Sequence, residues 1–499
     1  MSDAHTPDKR GPGESLVRKD LQASQTSRDP GLMENGESDE TTSLFDPARF
    51  KILALGLIAA LGGLLSGLDV GVISGALTFI GRTYHASTVA LEWVVSAMMA
   101  GAALGSISAG WLSYHLGRKR ALFLGAATFA IGALGCALSW SLGSLICFRA
   151  IMGLAIGLAA FTAPLYLSEI ATEETRGAMV SMYQLMVTIG IFLAFLSDTL
   201  LSYSGNWRWM FGVVAIPAIL FLIGLIFLPH SPRWLMMRGR YKEARAILLD
   251  LRETPQEAAQ EAKSIRAQLK TRQEGWKLFR TNPNFRRSIV LGMLLQIMQQ
   301  LAGINIVMYY APEILQQAHF DTQGQMWCTA LIGLVNMLAT FVALGLVDRL
   351  GRKPILYMGF AVMAVGMGLL GWLLHGGMHT EASQMAAVFL LVVFSAGFAM
   401  SVGPLAWLLC SEIQPAAGRD FGVAVSTFTN WTANLVVGLT FLSLMQKLGA
   451  ADTFWLFASL NALFMVLTYL FVPETKGVSL AKLQNRLMRG VRLRDIGRT

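Results

Sequence analysis

Two ionisable side chains fall where an ionised group is expensive to keep. Asp69 sits within an apolar run from about Lys51 to Ile80, and Arg149 sits inside another. At 1.5 Å per residue Asp69 lies ~27 Å above Lys51, at hydrocarbon depth if the run spans a bilayer. An acidic or basic centre at that depth costs at least ~2.5–3.5 kcal/mol, so such groups pair, face a cavity or move protons. Asp69 and Arg149 are expected to be partners. A second stretch holds Gln296, Gln299, Gln300, Gly303, Asn305, Tyr309 and Tyr310. Amides at i, i+3 and i+4 place a hydrogen-bonding stripe on one helix face, and Gly303 is a point where the helix can loosen. Amides supply neutral donors and acceptors in several directions, which suits a sugar, while aromatic faces cover the apolar C–H side of its ring. Trp407, four residues after Gly403, and Trp431, beside Asn430, are the platforms expected.

These side chains must be held by membrane helices. The 499 residues are 54% hydrophobic and only 14% charged, with the apolar residues in long runs, so the chain reads as an all-α polytopic membrane protein. Twelve spans are predicted, near 51–80, 90–113, 120–140, 143–168, 178–202, 208–228, 287–317, 324–347, 354–375, 384–411, 420–446 and 451–472. Each is long enough to cross ~30 Å of hydrocarbon. The net charge of +9 is topology and not a nucleic-acid patch. Of the 40 Lys and Arg, only Arg82, Arg149, Arg208 and Lys447 fall outside the first tail, the loops after the even-numbered spans and the last tail. That bias places both termini in the cytoplasm. Residues 1–46 are polar and read as a disordered cytoplasmic tail, 47–230 as an N-terminal six-helix half, 231–286 as a cytoplasmic helical linker, 287–473 as a C-terminal six-helix half and 474–499 as a cytoplasmic C-terminal tail. Gly63, Gly67, Gly71 and Gly75 make a smooth strip on the first span, with Gly101 and Gly105 on the second and Gly153 and Gly157 on the fourth, which suits close helix packing. Cys136, Cys147, Cys328 and Cys410 lack metal-ligand spacing, and the His, at 5, 85, 115, 230, 319, 375 and 379, lie in the tail or at loops and span ends. No catalytic constellation, metal set or cofactor motif is expected.

The two halves repeat one another. Gly117-Arg118-Lys119 recurs as Gly351-Arg352-Lys353, Leu167-Ser168-Glu169-Ile170 as Cys410-Ser411-Glu412-Ile413, and Arg176 as Arg419, in the same order and at nearly constant offset. With Asp348-Arg349-Leu350-Gly351-Arg352-Lys353-Pro354, Pro229-His230-Ser231-Pro232-Arg233 and Pro473-Glu474-Thr475-Lys476-Gly477, they resemble the signatures of the sugar porter family of the major facilitator superfamily. The resemblance covers roughly residues 48 to 497. Within the family, Met182-Tyr183-Gln184-Leu185, Met298 to Pro312, Cys410 to Pro415 and Thr429-Asn430-Trp431 look most like the bacterial galactose-proton and arabinose-proton symporters.

The resemblance implies a major facilitator fold in a bacterial inner membrane, importing a monosaccharide (galactose, arabinose or a similar hexose or pentose) with a proton by alternating access. It puts proton coupling on Asp69 and Arg149. It puts sugar contacts on Gln184, Gln299, Gln300, Asn305, Tyr309, Asn336, Gly403, Trp407, Asn430 and Trp431. Glu169 and Glu412, next to Arg118, Arg176, Arg352 and Arg419, read as a cytoplasmic gate whose ion pairs can tie the halves together when the cytoplasmic side is shut. Three positions depart from the family pattern: Tyr114 stands where many members carry Asp, Ser66 where these symporters usually carry Phe, and Ile191 where many carry a second Gln. The partners expected are the sugar, the proton and the lipid bilayer, with the chain a monomer and no nucleic acid or cofactor bound. A facilitative uniporter would share most of these residues but generally lacks the intramembrane Asp. A membrane sugar sensor of the same fold usually carries a long cytoplasmic extension, whereas about 27 residues follow the last span.

Overall fold

The computed structural model describes residues 47–172, 175–269, 275–378, 380–415 and 417–497; the expected tail 1–46, with His5, and His379 lie outside the described residues. Among these residues twelve spans are long and apolar enough to cross a membrane. The first six are single helices: α1 (Pro47–Tyr84), α2 (Thr88–Leu116), α3 (Arg118–Ala137), α4 (Leu142–Ile170), α5 (Arg176–Ser202) and α6 (Trp207–Phe227). Four short helices follow, α7 (Pro232–Met237), α8 (Tyr241–Leu251), α9 (Pro255–Leu269) and α10 (Gly275–Thr281). The later spans are α11 (Pro283–Leu301) with α12 (Ile304–Gln317), α13 (Thr322–Leu350), α14 (Arg352–Gly376), α15 (Glu381–Met400) with α16 (Val402–Glu412), α17 (Arg419–Leu448) and α18 (Ala450–Phe471), and α19 (Leu480–Met488) follows. The end of the bundle where α1 begins is here called proximal, the other distal.

Large apolar side chains such as Trp111, Ile131, Trp209, Leu220, Trp372 and Phe389 are exposed on the outside, as a lipid-facing surface requires. Inside, close packing replaces bulk. A methyl group at Gly63, Gly67 or Gly71 would overlap α5 backbone or the Ala194 side chain, and one at Gly75 would overlap Asp198. The glycine strips of α2 and α4 lie on each other: a methyl at Gly101 would meet the Ala150 carbonyl, and one at Gly153 the Met98 carbonyl. The two Gly-Arg-Lys copies make equivalent turns, Gly117 at φ 87° and Gly351 at φ 95°, a conformation that glycine adopts without strain.

Two spans are broken. The seventh, expected over 287–317, is α11 and α12 meeting at Gly303, which is left-handed at φ 99°. The break frees the Ala302 carbonyl, which accepts from Asn461 Nδ2 on α18 at 3.0 Å. Pro312 removes a further bond, and Tyr310 inside α12 is non-helical. The tenth, expected over 384–411 without interruption, breaks at Ser401. Pro404 cannot donate to the carbonyl four residues back and its ring crowds that carbonyl, so the helix restarts at Val402.

α7 to α9 enclose a small core of Trp234, Leu235, Leu248, Ala258 and Ile265. They dock on the first six spans: Trp234 Nε1 donates to the Tyr114 carbonyl at 2.8 Å, and Arg252 donates to those of Ile170 and Ala171. α10 instead rests on α17, with Trp276 and Phe279 against Phe421. Between the first six spans and the last six, the hydrogen bonds gather at the distal end. Thr78 donates to Glu313, Ser443 to Glu92, Gln446 to Thr88, Ser202 to Gln323, Thr199 to the Met326 carbonyl and Trp327 to Tyr203.

Candidate functional site

Asp69 on α1 and Arg149 on α4 form an ion pair in which neither side chain has exposed surface. Arg149 also donates to the carbonyls of Val94 at 3.1 Å and Val95 at 3.4 Å on α2, and its guanidinium lies 5.9 Å from the Phe211 ring centroid on α6. One arginine thus ties four helices together. Asp69 Oδ2 is enclosed and accepts no hydrogen bond among the described residues. The pair is incompletely satisfied on the carboxylate side, so a proton or a water has an oxygen to bind.

The break at Gly303 turns the amide stripe into a network. Asn430 Nδ2 donates to Gln296 Oε1 at 2.6 Å and to Gln299 Oε1 at 2.7 Å. Gln299 Nε2 donates to the Gly403 carbonyl at 2.8 Å, at the break of the tenth span, and Asn305 donates to Gln300. Tyr309 accepts from Asn434 Nδ2 at 3.2 Å, and Tyr309 lies within electrostatic reach of Asp69 and Arg149. Several polar atoms stay open: Gln296 Nε2, Asn434 Oδ1 and Trp431 Nε1 are enclosed and have no partner among the described residues. Trp407, Trp431, Asn305 and Gln184 are partly exposed. A buried polar network with donors and acceptors left over is unusual unless something polar fills it. Its neutral amides offer donors and acceptors of the kind a polyhydroxylated ring requires.

Of the expected sugar residues, Gln299, Gln300, Asn305, Gly403 and Asn430 are joined by these bonds; among the described residues Gln184, Trp407 and Trp431 make no hydrogen bond to them, and neither does Asn336. It is buried and donates to Ser395 Oγ of α15 at 3.1 Å, so it links the eighth and tenth spans. Asn434 and Asn461, which single amides in long apolar helices do not announce, belong to the same region. Ser66 lies 3.4 Å from the Tyr183 hydroxyl, so α5 shares the space this small residue leaves. Ile191 is buried along the α1 glycine strip.

At the proximal end Arg118 binds Glu169 with two nitrogens, at 2.9 and 2.7 Å, and Ser231 Oγ donates to the same carboxylate at 2.5 Å. The second copy matches it: Arg352 reaches Glu412 at 3.4 Å and Thr475 Oγ1 donates to Glu412 at 2.6 Å. In this structure, closed at the distal end, each pair lies within its own six spans. The turn glycine brings the arginine at the start of one helix beside the glutamate that ends a neighbour. No bond from Arg176 or Arg419 to these carboxylates is found among the described residues: Arg176 donates to the Ser168 carbonyl at 3.2 Å, and Arg419 is half-buried, its Nε without a partner among those residues. Where Tyr114 replaces the family's Asp, Arg238 stacks over its ring at 5.2 Å. His230 stacks on Trp234 beside this cluster. Burial, then the neighbouring Lys119, Arg120 and Arg240, depress its basicity below that of an ordinary histidine.

Residues 55–487 match the family model described as "Sugar (and other) transporter". The chain is 56% identical over 441 residues to the galactose-proton symporter of Escherichia coli K12, covering 88% of this chain and 95% of that protein. It is 50% identical over 467 residues to the arabinose-proton symporter of the same organism, covering 93% and 99%. Among solved structures it is similar to a partially occluded, inward-open conformation of the E. coli xylose transporter, with TM-score 0.75 and 30% identity over 85% of this chain and 100% of that one. It is also similar to the proton:xylose symporter bound to 6-bromo-6-deoxy-D-glucose, with TM-score 0.74 and 30% identity over 90% and 99%.

Proposed function

Because the chain belongs to the sugar transporter family, we propose that it carries a monosaccharide and a proton together across a bacterial inner membrane by alternating access. The observation that carries this reading is the juxtaposition of two things: a buried amide network with unfilled hydrogen bonds, and an enclosed Asp69–Arg149 pair within electrostatic reach of its Tyr309. Galactose, arabinose or a similar hexose or pentose is the substrate, as the names of the relatives suggest. Residues 47–230 and 287–473 are the halves that rock, 231–286 links them and 474–499 follows as a tail. The Lys and Arg bias makes the proximal face cytoplasmic, and a single chain carries the whole site.

The mechanism follows from the pair. A proton on Asp69 cancels its attraction to Arg149 and loosens α1 from α4. The sugar takes up the open donors and acceptors around Asn430, with Trp407 and Trp431 against the ring. The doubly loaded carrier closes at the distal end, as in this structure, and opens at the proximal end. The Glu169 and Glu412 clusters brace that end within each half. A proton moving down the membrane potential supplies roughly 2.3 kcal/mol per 100 mV, which drives the sugar uphill.

The test is uptake of labelled galactose and, separately, arabinose into proteoliposomes with and without an inward proton gradient. Gradient-dependent accumulation of either supports the reading. Equilibration indifferent to the gradient would make the protein a uniporter.

A further inference from the structure

Among the described residues, the hydrogen bonds of the distal closure use carboxylates and no cation. Two of its acceptors are glutamates, Glu92 on α2 and Glu313 on α12, and they are served unequally. Glu92, 1% exposed, accepts from Ser443 N at 2.7 Å and Ser443 Oγ at 2.8 Å, so both oxygens are satisfied. Glu313 receives only Thr78 Oγ1, at 3.2 Å, and its Oε2 is enclosed without a partner among the described residues.

Among the described residues, the surroundings offer no compensating charge. On α1, Asp69 is held by Arg149 of α4. On α5, Asp198 is 1% exposed and lies against Gly75, one turn before Thr78, with no side-chain donor on either oxygen. On α12 itself, Tyr310 lies near both Glu92 and Glu313 but donates its hydroxyl to the Gly438 carbonyl at 2.8 Å. The distal cations are turned elsewhere: Arg82 is exposed beside Phe79, Arg208 donates to Ser139 and Tyr84 and covers Trp207, and Lys447 on α17 is exposed. A carboxylate enclosed with one hydroxyl donor is costly, whereas a carboxylic acid in the same place is not.

We propose that Glu313 is a second proton-linked group of this carrier: it closes against Thr78 as the acid and separates from it as the carboxylate, so distal closure takes up a proton. The Thr78–Glu313 bond joins the two sets of six spans, so the group leaves its enclosure whenever the distal end opens. The proton comes from water on the distal side and returns there, with only the Glu313 O–H bond made and broken. It therefore sets which state the carrier prefers without adding to the protons carried per sugar. Low pH favours closure and high pH favours opening. The use of this equilibrium in transport rests on the alternating-access reading, but the equilibrium itself does not.

The experiment measures the gate and not transport. Spin labels at Val89→Cys and Lys447→Cys, both exposed at the distal ends of α2 and α17, are introduced after the four native cysteines are replaced by Ser. Their separation is followed in proteoliposomes without sugar or gradient from about pH 5 to about pH 9. The closed-to-open ratio of the parent should fall as pH rises, by up to about tenfold per unit, the limit for one linked proton. Glu313→Gln should stay closed throughout, and Glu313→Asp should still titrate. A parent ratio indifferent to pH, or a Glu313→Gln protein that titrates like the parent, would overturn the inference. So would titration lost in Asp69→Asn and kept in Glu313→Gln. If the protein proves a uniporter, the gate titration still decides this point.

Discussion

Asn430 donates to two glutamines at once, so truncating it strips Gln296 and Gln299 of a shared partner inside an enclosed network. Asn430→Ala is expected to raise the KM for sugar about tenfold or more, corresponding to roughly 1–3 kcal/mol for unsatisfied buried acceptors. Initial-rate uptake measures this, and the dependence on the proton gradient should be unchanged. His230 supports a second expectation. Its basicity in the folded protein is depressed by burial and by Lys119, Arg120 and Arg240, so the unfolded chain binds the proton more readily. Stability is then full above the ordinary histidine value, about 6.5, and declines as pH falls below it. Thermal unfolding of His230→Gln should lack that part of the acid loss. Asp69 and Arg149 were legible because a charge deep in an apolar run is costly unless it pairs, faces a cavity or moves a proton. Glu92, Asp198 and Glu313 were not, since each lies toward the end of its span, where a carboxylate normally meets water; only the tertiary contacts show Glu92 and Asp198 buried and Glu313 partly enclosed.

Helices α1 and α5, and α2 and α4, approach so closely that backbone meets backbone. Gly67→Val is therefore expected to destabilise the first six spans by several kcal/mol, since the new side chain would overlap the Val187 carbonyl and no flexible group can yield. Loss of a cooperative melt in detergent, with a control such as Gly177→Ala, whose methyl meets nothing within 4 Å, left near the parent, would check it. The strips were legible from strict four-residue spacing, and the seventh-span break from Gly303 amid amides. The tenth-span break was missed because its cause, Pro404, acts on a carbonyl four residues earlier, in a run whose hydropathy continues without change. Nor could spacing reveal that Asn461, far along the chain, takes up the Ala302 carbonyl freed by the first break.

At the scale of the molecule, the duplicated loop motifs announced two similar six-helix units, and the equivalent Arg118–Glu169–Ser231 and Arg352–Glu412–Thr475 clusters bear the likeness out in detail. The direction of those ion pairs was not legible. Sequence places an arginine near a glutamate at one end of the bundle but does not say whether the partner lies in the same half or across the interface. The bonds between the two sets of spans are distal, so locking that end should stop the cycle. A disulfide between Thr88→Cys and Gln446→Cys, whose parent side chains are hydrogen-bonded, is expected to abolish uptake under oxidation, and a reductant should restore it. Proton coupling by Asp69, as proposed, is tested most directly by comparing two modes of transport in Asp69→Asn proteoliposomes. Exchange of external for internal sugar should persist near the parent rate, while accumulation driven by an inward proton gradient should vanish. Accumulation equal to the parent's would contradict the claim.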